Sequence, residues 1–262
     1  MNRYGQNITW STPGAPHPFH GICTAYSYKM QLQRQLDEDE NGDNHALIQH
    51  SRKANVSFEA KVLKGTGGST DFLDLSAGGA VALSNAVPGG GPTNTIVLAT
   101  RAVERWSLGQ PATISLQATH YPDLVQSSPA MAGALDASAA IDQTGLGIIT
   151  PGGKIIYGTY PLAMPDSSGI VHKLEITQEL KIAEDDPSPA GTILGAATHG
   201  YLRTISLDLL ATGSAPAEGS TLSITGAPSN AANYKIESVE QKFAEKRGKM
   251  YSITAVWIPP LG

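Results

Sequence analysis

TISLQATHYPDL (113–124) and MYSITAVWIPPLG (250–262) share one frame. Ser-Leu-Gln-Ala, three residues, Pro-x-Leu in the first faces Ser-Ile-Thr-Ala, three residues, Pro-x-Leu in the second. Both read as β-branched, apolar-alternating strands stopped by proline. A chain that writes its closing strand twice should also repeat the elements that lead up to it.

Walking back bears on that directly. YSYKMQLQRQL (26–36) alternates, with Tyr28, Met30, Leu32 and Leu36 on one face and Lys29, Gln31, Gln33 and Gln35 on the other. HKLEITQELKI (172–182) does the same with Leu174, Ile176, Leu180 and Ile182. A period of two marks half-buried strands. Each apolar face carries one polar residue, Arg34 and Gln178, read as one register position. Each strand runs into an acidic turn, DEDENGD (37–43) and EDDPSP (184–189).

Val56, Phe58 and Ala60 then answer to Ile205, Leu207 and Leu209. Phe72–Leu75 answers to Thr221–Ile224 after a Gly-rich turn, and Val103-Glu104 to Val239-Glu240. Five elements in one order argue for duplication. The expectation is an all-β chain, mainly β with a short helix, holding two tandem homologous β-sandwich or barrel domains at 1–125 and 151–262. Met30, Leu32, Val56 and Phe58 should face one core, and Leu174, Ile176, Ile205 and Leu207 the other. The connector 126–150 has Ser128 and Pro129 placed as an N-cap and first helical residue. It is either a short helix or an extended linker.

Composition fits a β-rich protein with many turns. Of 262 residues, 28 are Gly and 17 Pro, with 40% hydrophobic and 16% charged. No run approaches the roughly 20 apolar residues of a membrane span, and the N-terminal stretch does not read as a secretory signal. The single cysteine, Cys23, excludes an internal disulfide and suits a cytosolic assembly site. A net charge of −5, evenly shared between the halves, gives no footprint for wrapping duplex DNA.

No catalytic, cofactor or metal site stands out. His17, His20 and Cys23 have metal-capable chemistry, but no fourth ligand is near and the second half has no matching triplet. DEDENGD lacks the closing glutamate of a calcium loop, because Ile48 stands there. It reads instead as a hairpin tip turning on Asn41-Gly42. KGTGG (64–68) and PGGGP (88–92) do not lead from a strand into a helix as a phosphate loop must. Glu59 and Asp208 lie on outward strand faces beside Ser57 and Ser206, where solvent explains them. Lys246, Arg247 and Lys249 read as a solvated tip or as a contact with an acidic neighbour.

A β-domain of this length, with an acidic turn after its first long strand and a last strand ending in proline, resembles the tail-tube and tube-like proteins of tailed bacteriophages. The segment 201–261 and its twin in the first half carry the resemblance. It implies β-sandwiches or barrels with a flanking helix that self-associate into a ring around a DNA channel. A duplicated member would form a trimer with pseudo-sixfold symmetry. The implied partners are further copies of itself, other phage tail or baseplate proteins, and DNA passing non-specifically, with no membrane. The implied place is the virion tail, assembled in the host cytoplasm, and no turnover chemistry is expected. The alternatives are a baseplate hub, a tail terminator, a capsid-decorating protein or, further off, a pair of carbohydrate-binding modules.

Overall fold

The computed structural model describes residues 6–11, 19–38, 44–62, 73, 75, 78–84, 95–107, 110–122, 124, 149–150, 154–155, 169–185, 193–222, 234–244 and 248–257. Most of these are strand and none is helical. The chain is all-β, as its alternating patterns require. The helix or linker expected at 126–150 lies outside the described residues, except that Ile149–Thr150 is a strand.

Among the described residues the first half has β1 (Gln6–Ser11), β2 (Phe19–Glu38), β3 (Asn44–Val62), β4 (Ala80–Ser84), β5 (Thr95–Ser107) and β6 (Thr113–His120). After the small hairpin of β7 (Ile149–Thr150) and β8 (Lys154–Ile155) come β9 (Gly169–Glu184), β10 (Ala196–Ala211), β11 (Thr221–Leu222), β12 (Tyr234–Ala244) and β13 (Gly248–Trp257). The two stretches that opened the sequence reading are β6 and β13. Ile114, Leu116 and Ala118 are buried on β6, and Tyr251, Ile253 and Ala255 on β13.

All strands but β7 and β8 join one antiparallel sheet in the order β11-β12-β13-β10-β9-β5-β4-β1-β2-β3-β6, and β6 also pairs with β5. That extra pairing closes β5, β4, β1, β2, β3 and β6 into a barrel. Trp10, Phe58, Leu83 and Leu116 fill it, with the Trp10 and Phe58 rings 5.6 Å apart. The second half is an open arc with its own core of Leu174, Ile176, Ile205, Leu207 and Ile253. The sequence reading expects two tandem β-domains; in the structure hydrogen bonding runs unbroken across their boundary through β5 and β9.

Within the sheet the halves are ordered alike: β2-β3-β6-β5-β4 in one, β9-β10-β13-β12-β11 in the other. Register agrees as well. Tyr28 faces Val56 as Ile176 faces Ile205. Phe58 faces Leu116 as Leu207 faces Ile253. Register shifts flank Thr24 and His172, Leu32 and Leu180, and Thr100 and Glu237, at matching steps of the two ladders. Bulges re-aim the strand that carries them, so matched bulges give both halves the same bends. Gly78 and Gly219 enter β4 and β11 at φ +112° and +75°, a conformation that a side chain would resist. Just after them, the Gly79 carbonyl accepts from Ala99 N–H as the Ser220 carbonyl accepts from Ile236 N–H.

Four expectations need correction. Met30 and Leu32 do not lie in a core; they are 43% and 40% exposed. Beyond the Ala54–His120 pair, β3 has lost β6, so among the described residues this part of β2 and β3 pairs only with itself, and a register shift interrupts the alternation at Leu32. Gln178 corresponds to Met30 rather than to Arg34, because Gln178 faces Arg203 as Met30 faces Ala54. The side chains of Arg34 and Leu36 lie outside the described residues. Val239 corresponds to Ala102, facing Ile253 as Ala102 faces Leu116, so the two Val-Glu pairs are out of step by one residue. Finally, β4 takes the place expected for Phe72–Leu75. Leu73 and Leu75 are buried but belong to no strand.

Candidate functional site: an internal seam and two open edges

The seam is the ladder between β5 and β9, from Arg101 opposite Glu179 to Ser107 opposite Lys173. β4 occupies the same side of β5 only from Thr95 to Leu98, which leaves the rest of that edge for β9. Two ion pairs brace its outer face, Arg101–Glu179 at 3.3 Å and Arg105–Glu175 at 2.9 Å. Underneath, each half lends a side chain to the other. Leu180 of β9 packs into the barrel core, and Trp106 of β5 packs against the second core.

A buried polar cluster locks the seam. Leu73 N–H donates to Glu104 Oε1 at 2.8 Å and Leu75 N–H to Gln178 Oε1 at 3.0 Å. Gln178 Nε2 donates to the Leu73 carbonyl. These side chains replace the ladder that Leu73 and Leu75 lack, meeting the rule that buried backbone groups find partners. Arg203 and Tyr201 also donate to Gln178 Oε1, at 3.2 and 2.9 Å. The fully buried Arg203 guanidinium lies 5.4 Å from the ring centres of both Tyr201 and Trp257. Cation–π contact of this kind offsets part of its desolvation.

Farther along, Glu184 accepts from Lys53 at 2.8 Å and from Tyr121 Oη at 2.6 Å. Burial would raise its pKa, but the hydrogen bonds from Lys53 and Tyr121 and the lysine's charge bring it below the usual carboxylate value. Tyr121 moves up, through burial and then through Glu184.

The counterparts of the seam strands, β12 and β2, each have an edge that is without a partner over part of its length among the described residues. On β12 the β11 side is covered only to Ile236, leaving 238–244 open. On β2 the β1 side is covered only to Cys23, leaving the stretch from Ala25 onward open. Phe243, on the first of these, is 81% exposed.

The residues weighed for chemistry do not converge. Cys23 is buried in the barrel core and its thiol is pushed up by burial, the Sγ contact to the Ala25 carbonyl only partly opposing this. His20 pairs with Thr9 in the β1–β2 ladder, and His17 lies outside the described residues. Among the described residues no group of three or more His, Cys, Asp or Glu is placed to hold a metal ion. None of them forms a helix long and apolar enough to cross a membrane.

Glu59 and Asp208 take part in a repeated pair that the sequence reading missed. Ser115 donates to Glu59 at 3.2 Å and Ser252 to Asp208 at 2.6 Å, across matching ladders. The shared Ser of the two closing strands was the signal for it. Of the basic tip, Lys249 stands 5.1 Å over the Tyr251 ring, while Lys246 and Arg247 lie outside the described residues, as do residues 39–43, 64–68 and 88–92.

No family model matches this chain, and no curated protein matches it.

Proposed function

We propose that this chain is a structural part of a tailed-bacteriophage virion, forming the tail tube or a tube-like ring around a DNA channel by self-association. The observation that carries this reading is the seam. Two halves with one strand order and one register are joined edge to edge inside a single chain, and an edge of each half is left open. Edges of this kind are normally paired, covered or blunted. A duplicated unit lets three chains present six similar blocks around an axis, so the ring is a homotrimer with pseudo-sixfold symmetry. In this reading the halves are homologous tube-like domains at 1–125 and 151–262, joined by 126–150.

The chain works by shape and by contact with its own copies, with other tail or baseplate proteins, and with DNA sliding through. A mildly negative wall favours sliding because it does not hold phosphates. Labelling purified virions with an antibody against the chain tests this role. Label along the length of the tail supports a tube part. Label at the tip alone would make it a hub, and label on the capsid or its absence from particles would overturn the reading.

A further inference from the structure

We propose that the open edge of β12 in one copy takes up the open edge of β2 in the next, repeating between chains the β5–β9 seam found within one. This rests on the self-association proposed above and adds the strands, the register and the residues.

The register follows from the matched ladders. β12 is the counterpart of β5, and β2 of β9, residue by residue. Carrying the internal seam over sets Ser238 opposite Gln31, Val239 opposite Met30, Glu240 opposite Lys29, and Phe243 opposite Tyr26 of the neighbouring copy. Nothing on the described strands obstructs this. β11 ends short of Ser238 and β1 short of Ala25, just as β4 ends short of Arg101.

Charge, exposure and the reciprocity of the internal seam agree with it. Glu240 and Lys29 are both exposed, and they fall directly opposite one another, a favourable cross-strand pair. In the single chain Glu240 rests on Lys242 of its own strand at 2.8 Å. The second is exposure of apolar groups. Leu180, held by the internal seam, is 8% exposed, whereas its counterpart Leu32 is 40% exposed. Trp106 is packed on the second core, whereas its counterpart Phe243 is 81% exposed. Met30 on this edge, at 43%, gains Val239 as a partner. The third is reciprocity. Trp106 reaches across the internal seam to one core and Leu180 reaches back to the other. Phe243 then covers Tyr26 and Tyr28 beside the neighbour's barrel core, and Leu32 of that neighbour covers the second core of the first chain.

The partner is a second copy of this chain, met head to tail. Such a heterologous contact generates rings or filaments rather than a two-fold dimer.

The test uses the full chain. Phe243→Ser touches little in the isolated chain, so its far-ultraviolet circular dichroism should stay that of the parent. Self-association, read by sedimentation velocity across a dilution series, should weaken about thirtyfold or more, the usual effect of losing an aromatic anchor. Glu240→Lys and Lys29→Glu should each weaken it about fivefold, and the double exchange should restore it. In a Cys23→Ser background, Lys29→Cys with Glu240→Cys should form a disulfide between chains under mild oxidation. Oligomers that survive Phe243→Ser, show no rescue and form no such disulfide would overturn this seam while leaving self-association standing. A chain that stays monomeric under all conditions would overturn both.

Discussion

Leu180 and Leu32 occupy the same step of the same ladder in the two halves, yet one is buried and the other is not. Gln178 and Met30 differ in the same way, and Trp106 is half-buried against the second core where Phe243 is exposed. Each buried member lies at the seam between β5 and β9, and each exposed member lies on an edge that has no seam. Burial here is decided by whether a strand has a neighbour, and strand pattern alone does not determine it. The halves also close differently. β1 bridges β4 and β2 to complete a barrel in the first, whereas the second leans on the first through β9. A polar cluster around Gln178 and Arg203 marks that dependence, and Met30 and Ala54 stand at the corresponding positions of the first half.

The heaviest strain on the comparison comes from emptying both cores at one shared step. Phe58→Ala and Leu207→Ala should each cost about 3–5 kcal/mol, measured by urea unfolding. Because the halves share one sheet, either change should lower a single common transition. Two separate transitions would show that the halves fold independently.

Next comes the exchange at the seam position. Gln178→Met leaves the Leu73 carbonyl and the Leu75 N–H without this partner and should cost about 2–4 kcal/mol. Met30→Gln, at the matching exposed step, should stay within about 0.5 kcal/mol in the dissociated chain. Equal costs at the two positions would remove the distinction between seam and open edge.

These positions also show what the sequence could and could not tell. The closing strands were readable because Ser-x-x-Ala and the proline stop recur at fixed spacing, and the alternation of 174–180 and 54–60 marked strands with an inward face. Counting back from the closing strands without a gap puts Ala102 opposite Val239. The shared Val-Glu dipeptide points one residue away, and the unbroken spacing outweighs it. Gln178 reads as a polar interruption, but nothing local says that it holds Leu73 and Leu75, which are about a hundred residues away in sequence. The same holds for the seam. β5 reads as an ordinary strand, and its second partner is a tertiary choice. Alternation places Met30 on the inward face, but it does not show where the neighbouring strand ends.

Smaller effects sharpen the account of the Glu184 contact. Its folded pKa lies below the usual value, so its contribution is present above the ordinary carboxylate range and is lost as pH falls through the lowered value. Glu184→Gln should cost under about 1 kcal/mol at neutral pH, as befits a partly exposed pair. It should also flatten this part of the stability profile below pH about 5. A stability–pH curve identical to the parent would remove Glu184 from the contacts that join the halves.

The smallest effect is spectroscopic. Tyr26, where the second half has Leu174, is pushed up to about 12 by burial, and then by Tyr28 and Cys23. Its neutral form is favoured by the fold, so that contribution is complete below pH 10 and fades as pH rises through about 12. An ultraviolet titration should show Tyr121 and Tyr26 both ionising late, and the step at pH about 12 should be missing in Tyr26→Phe. If that variant titrates like the parent, the hydroxyl is not shielded as described.

The central claim is that two like halves, joined edge to edge, continue the same joint from chain to chain. Electron microscopy of the purified full-length protein, averaged without imposed symmetry, tests it most directly. The account predicts closed rings of three chains that show six similar blocks, with β12 of each chain running antiparallel beside β2 of the next. Single 27.4 kDa particles at every concentration, or rings in which both of these edges face solvent, would contradict it.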